Sequence, residues 1–129
     1  MTRTTYDTRF FVEHYYSGDT SVTQSTTREI RRERDKAISS IVVHEVYRLT
    51  FQKEGRQVAQ LRVGLVGKDF EVIPVDGKVA VTSAEIRQEY AVPMADSIIA
   101  ATAVNLRAVC VTDDPHIQRI RGIKTRWIE

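Results

Sequence analysis

The sequence predicts an α/β protein whose parallel sheet is covered by helices on both faces, and three observations carry the prediction. Short β-prone segments alternate with helical ones along the chain, as parallel strands joined by crossovers require. Ala37-Ile38-Ser39 reads as a short buried strand, and Cys110 sits in a second apolar run, Ala108-Val109-Cys110-Val111-Thr112. Residues 98–104 carry no charge and almost no polarity on any side, which marks a helix enclosed by protein and far too short to span a bilayer. Crossovers in such a sheet are right-handed.

Taken in order, residues 3–6 are β-prone, and Asp7-Thr8 ends them at a helix N-cap. Phe10, Phe11, His14 and Tyr15 follow at helical spacing until Ser17-Gly18. A second helix starts near Asp19-Thr20-Ser21 and runs through Arg28 to Lys36 as a mostly solvated face. After the strand at Ala37-Ile38-Ser39, Ser40 is the N-cap of a helix from residue 41 to about 54, with Ile41, Val42, Val46 and Leu49 on one face. Gly55 interrupts it, and Val58, Leu61, Val63, Leu65 and Val66 carry a fourth helix to Gly67. Residues 70–75 form a strand and residues 76–90 are weakly helical. Pro93 suits the first position of the enclosed helix, where its missing N–H costs nothing. Beyond the strand at 108–112, Asp113-Asp114-Pro115 opens a short helix, and residues 123–128 close as an edge strand.

The 129 residues make one domain, 1–129, with 28% charged and 42% hydrophobic residues, the balance of a globular chain. A net charge of +2 is too small to argue nucleic-acid binding by itself. The single cysteine, Cys110, excludes an internal disulfide and a cysteine-based zinc site; it is expected to be buried and inert in a reducing cytosol. The first residues have no apolar signal-peptide core and no run reaches membrane-spanning length, so a cytoplasmic protein away from the membrane is expected. No glycine-rich loop follows the first strand, which removes the dinucleotide fingerprint and the P-loop.

Ligands of an open parallel sheet bind beyond the carboxyl ends of its strands, where the strand order reverses. Asp7 ends the first strand, Asp113 and Asp114 end the fourth, and Asp96 begins the helix that feeds the fourth. Taken singly, Asp7 and Asp114 are good N-caps, and Asp96 offsets the positive end of a helix dipole. Glu45 resists such a reading. Ile41 and Leu49 lie one turn away on either side, so its carboxylate is expected on an apolar face, where it needs a partner or a cation. Converging carboxylates raise one another's pKa, and a divalent ion relieves the repulsion. All-oxygen ligation suits Mg2+ or Mn2+.

Asp7-Thr8, Ser40 followed by Glu45, Ala95-Asp96-Ser97-Ile98-Ile99-Ala100-Ala101-Thr102-Ala103 and Val111-Thr112-Asp113-Asp114 resemble, in order and spacing, the four motifs of the PIN domain as found in small VapC-type toxins. The resemblance spans the chain to Trp127-Ile128. It implies a sheet ordered 3-2-1-4-5, Mg2+-dependent cleavage of RNA, a homodimer, and inhibition by a cognate antitoxin protein. By position, Asp7, Glu45, Asp96 and Asp114 match the metal-binding acids, while Thr112 and Ser40 match polar residues that orient them. Asp113 fills a slot often held by Asn, so it is the alternative to Asp114, which the family pattern favours. Arg9 departs from the small polar residue usual after Asp-Thr, and an arginine there can hold a phosphate.

The sequence thus points to a metal-dependent endoribonuclease acting on single-stranded or loop RNA, with Arg9 and Arg48 as phosphate contacts. One rival is a receiver-type signalling module, another a PIN fold that binds RNA or a partner without cleaving. His14, His44 and His116 are too scattered to form a metal site; His116 follows Asp114 closely enough to touch substrate, but helix packing accounts for it more simply. Arg28, Arg31, Arg32 and Arg34 are expected to pair within their helix with Glu29, Glu33 and Asp35 rather than bind RNA. Tyr15, Tyr16, Val42 and Val46 fit either a partner surface or the core.

Overall fold

Three residues, β1 (Thr4–Tyr6), form the middle strand of a five-stranded sheet in the computed structural model, which describes residues 2–129. The other strands are β2 (Lys36–Ser39), β3 (Glu71–Ile73), β4 (Val109–Val111) and β5 (Lys124–Arg126). Every pairing is parallel and the order is β3-β2-β1-β4-β5, as the motif resemblance implied. A receiver module is ordered 2-1-3-4-5, so that rival is closed. Thr5 lies opposite Ala37 on one side and Cys110 on the other. Chain direction therefore reverses its sideways progress at β1, and the crevice past Tyr6, Ser39 and Val111 is a switch point of the kind where ligands bind.

Seven helices occur among the described residues: α1 (Thr8–Tyr16), α2 (Thr20–Arg32), α3 (Ser40–Glu54), α4 (Arg56–Asp69), α5 (Gly77–Tyr90), α6 (Met94–Leu106) and α7 (Pro115–Gln118). None is long and apolar enough to cross a membrane. Two apolar clusters fill the interior. One joins Tyr6, Phe10, Phe11, Val42, Val66, Phe70 and Ile117; the other joins Val79, Ile86, Val92 and Ile120. α6 gives Ile99 and Ala103 to the first and Ala100 and Ala101 to the second, which is why it is apolar all round. Its alanines let α5 approach closely. Cys110 is fully buried, and burial pushes its thiol up to about 12, so it is inert.

Several boundaries differ from the sequence reading. α2 stops at Arg32, four residues short of Lys36, because Lys36 already pairs opposite Thr4 in the sheet and the Asp35 carbonyl accepts the Thr4 N–H at 3.0 Å. The N-cap of α3 is Ser39, whose hydroxyl accepts the Ile41 N–H at 3.2 Å, and Ser40 is the first helical residue. Pro93 is the N-cap of α6 rather than its first residue. The third strand is limited to Glu71–Ile73, since Phe70 still closes α4 and Pro74 has no N–H to give a ladder. Gly55 ends α3 and starts α4 with φ of 90°, a conformation that favours glycine.

Candidate metal centre

The crevice is built by a threonine. Thr112, fully buried just after β4, donates its hydroxyl proton to Asp7 Oδ2 at 2.6 Å and accepts the Asp114 N–H at 3.0 Å. One short side chain thereby joins the end of β1 to the turn after β4. Asp7 occupies the N-cap position of α1, yet its carboxylate makes no capping hydrogen bond to that helix. The Thr8 and Arg9 N–H groups still lower its proton affinity, whereas Asp114 makes a formed cap: its Oδ1 accepts the His116 N–H at 2.8 Å and starts α7. Asp96 lies in the first turn of α6, and Glu45, in the second turn of α3, accepts a hydrogen bond from the Thr8 hydroxyl at the start of α1.

A carboxylate oxygen of Asp96, one of Asp114 and a ring nitrogen of His116 lie within 4.8 Å of one another. Asp7 and Glu45 stand outside this triplet but close enough to act on it electrostatically. The Asp96 carboxyl is pushed up to about 6, first by burial and then by the charges of Asp114, Asp7 and Glu45, with His116 pulling the other way. Asp7 is raised as well, by burial and by Asp114, against the lowering effect of the Thr112 hydrogen bond. No lysine or arginine pairs with any of the four acids among the described residues; His116 alone faces Asp96 and Asp114, at 3.4 and 3.3 Å. The donor chemistry of the acids fits a divalent cation, which removes the repulsion that raises Asp96.

The structure separates Asp113 from Asp114. Asp114 turns toward Asp96, whereas Asp113 receives the fork of Arg9, with Nε 3.0 Å from Oδ1 and Nη2 3.1 Å from Oδ2. Arg9 also lies 3.7 Å from Glu13, so its guanidinium is held by acids rather than open for a phosphate. Arg48 faces outward beside Val43, Tyr47 and Phe51, and pairs with no acid among the described residues. Ser40 makes no side-chain hydrogen bond among them, and the orienting role falls to Thr8 and Thr112.

Other expectations need correction. Glu45 is half-buried rather than embedded in the apolar face, because the buried stripe of α3 is Val42, Val46 and Thr50, and its partner is Thr8. Val42 and Val46 are core residues, not partner surface. Tyr15 and Tyr16 instead surround Arg62, whose guanidinium lies 4.2 Å from the Tyr15 ring centre and donates to Tyr16 Oη at 2.8 Å. The arginines of α2 and the turn after it make no ion pair among the described residues. Glu29 and Glu33, one turn apart, both face Arg126, and Asp35 pairs with Arg3 at 2.9 Å, leaving Arg28, Arg31, Arg32 and Arg34 in solvent. His116 is 52% exposed and does not pack as a core histidine would. The sequence signal for it was its place two residues beyond the cap Asp114, where a short helix returns the side chain over the capping acid.

The model of the PIN domain family matches residues 5–123. No curated protein sequence matches the chain. Among solved structures, VapBC2 from Rickettsia felis, bound to a DNA fragment from its promoter, superposes with a TM-score of 0.80 at 20% identity, covering 99% of this chain and 100% of that one. DNA-bound VapBC from Salmonella typhimurium gives 0.78 at 23% identity over 98% of both chains. A toxin–antitoxin complex from Klebsiella pneumoniae gives 0.72 at 24% identity, covering 93% of this chain and 94% of that one. With a family model that matches nearly the whole chain and a fold shared from end to end, this chain belongs to the PIN domain family.

Proposed function

We propose that this PIN domain is a metal-dependent endoribonuclease and the toxin of a toxin–antitoxin pair, acting in the cytoplasm on single-stranded or loop RNA. The observation that supports the reading is the close approach of Asp96 and Asp114 at the carboxyl edge of the sheet, with Asp7 and Glu45 near enough that burial and these acids together raise the proton affinity of Asp96. Asp96 and Asp114 would hold a Mg2+ or Mn2+ ion, with Asp7 and Glu45 flanking it. When bound, such an ion supplies Lewis acidity and positive charge at a phosphodiester.

The chain's own residues do the rest. Thr112 fixes the Asp7 carboxylate in one orientation, and Thr8 fixes that of Glu45. Each acid keeps a second oxygen for a cation or for a water attacking phosphorus. The N-terminus of α6 directs its dipole at the same crevice and favours ionised Asp96 and a bound phosphate alike. Unpaired bases suit an open crevice better than a closed duplex does. Likeness to proteins from toxin–antitoxin complexes supports an antitoxin partner, and a homodimer accompanies the reading.

Cleavage of a single-stranded RNA by the purified protein in Mg2+ or Mn2+ tests this directly. EDTA should abolish cleavage, and Asp96→Asn should lower the rate by at least about 100-fold, roughly 3 kcal/mol of barrier, with an unchanged circular dichroism spectrum. Cleavage that persists in EDTA, or full activity in the variant, would overturn it.

A further inference from the structure

We propose that His116 is a nitrogen ligand of this centre and sets its ion preference toward Mn2+ and away from Mg2+; the proposal rests on the metal-site reading above. His116 Nδ1 lies 3.3 Å from Asp114 Oδ1 and 3.4 Å from Asp96 Oδ2. Both separations exceed the usual hydrogen-bond range, whose upper end is about 3.2 Å. The ring donates a hydrogen bond to neither acid and stands almost equidistant from both, within ion-pair reach of each.

That spacing is what a shared ion asks for. Oxygen and nitrogen ligands each about 2.1 Å from one cation lie roughly 3.0 to 3.4 Å apart, depending on the coordination angle. Attraction to the two carboxylates and the Asp114 cap bring the ring here, and they leave Nδ1 turned toward both acids at once. The side chain is 52% exposed, so packing does not hold it, and no other hydrogen bond of the ring occurs among the described residues. Its backbone is fixed instead: Pro115 restricts the first turn of α7, and Asp114 caps the His116 N–H. His14 is bonded to Thr26, and His44 is exposed on α3 beside Val43 and Tyr47, so neither competes for the role.

The chemistry follows from ligand softness. Mg2+ takes oxygen ligands and keeps its waters, whereas an imidazole nitrogen adds affinity for first-row transition ions. Two carboxylates with one imidazole therefore make a mixed site, in which Mn2+ keeps its oxygen ligands and gains from the nitrogen.

The test is binding of Mn2+ and of Mg2+ to the full chain by titration calorimetry, together with pulsed electron paramagnetic resonance of bound Mn2+. Wild type should bind Mn2+ at least about tenfold more tightly than Mg2+ and show coupling to a 14N nucleus. In His116→Gln the nitrogen coupling should vanish and Mn2+ affinity fall by about tenfold or more, while Mg2+ affinity changes by less than about threefold. If Mn2+ binds in an Asp96-dependent manner but carries no nitrogen coupling, and His116→Gln binds it like wild type, the role of His116 is overturned and the metal centre stands. If Mn2+ does not bind, or Asp96→Asn binds it unchanged, the metal centre itself falls and His116 with it.

Discussion

Glu29 and Asp96 are two shielded carboxylates in one small protein, 13% and 17% exposed, and their proton affinities move in opposite directions. Burial pushes both upward. At Glu29 that push is more than offset: Arg126 donates twice, at 2.9 and 2.8 Å, and the Tyr6 hydroxyl donates at 2.6 Å, so its pKa ends below the usual value. At Asp96 burial is reinforced by three further acids, and the group ends near 6. Equal burial thus tells little about a carboxylate. The Glu29 network holds the end of α2 to β1 and β5, and is complete within the chain. The Asp96 cluster brings like charges together, and a chain keeps such a cluster only at a cost to its own stability.

The largest expected effect that separates the two is on folding. Glu29→Ala removes the acceptor of the fully buried Tyr6 hydroxyl and the partner of Arg126, and should destabilise by about 2–3 kcal/mol in urea denaturation. Asp96→Asn removes repulsion, and without metal near pH 8 it should stabilise by about 1–2 kcal/mol. A destabilised Asp96→Asn would place Asp96 with Glu29, as a structural acid.

The pH dependence should carry the same contrast. Asp96 holds its proton more tightly folded, near 6, than unfolded, at 3.8, so its contribution to stability is complete below 3.8 and is lost as pH rises through 6. Glu29 holds its proton less tightly folded, so its contribution is present above 4.5 and is lost as pH falls through its lower folded value. Melting temperatures measured in EDTA should therefore fall from pH 5 to pH 7 in wild type and fall less in Asp96→Asn, with a residue of slope from Asp7. Glu29→Gln should instead flatten the limb below pH 4.5. Identical slopes in all three proteins would remove the contrast.

The smallest effect sharpens the division inside the acidic pair. Asp113→Asn breaks only an exposed ion pair with Arg9 and should cost under about 1 kcal/mol in the same denaturation assay. A loss of several kcal/mol would mean that the pair anchors the turn.

What could be read from the sequence follows the range of the interactions involved. The enclosed α6 was legible from its own composition and the strand order through the motif resemblance, while the four acids were singled out by motif order. The end of α2 was not, since the charged run from Arg31 to Lys36 has no apolar periodicity to mark a boundary, and the sheet pairing of Lys36 with Thr4 decides it. The same gap misassigned its ion pairs: Arg126 reaches Glu29 across 97 residues, further than any helical spacing rule looks. Glu45 was placed on the right helix and given the wrong surroundings, because Thr8 arrives from another element. The nearness of His116 to Asp96 is likewise a product of the turn after β4.

The threonine that joins the two halves of the crevice also fixes when that crevice can exist. Asp7 and Thr112 are 105 positions apart, and β1 receives its β4 neighbour only from Val109 onward. A growing chain carries Asp7 and Glu45 long before it carries the residue that turns Asp7 or the acid that faces Asp96. Loop closure over that distance is entropically slow to be rewarded, and it comes after the local helices have formed. A ribosome-bound fragment that stops short of Thr112 therefore has most of the helices and none of the assembled centre.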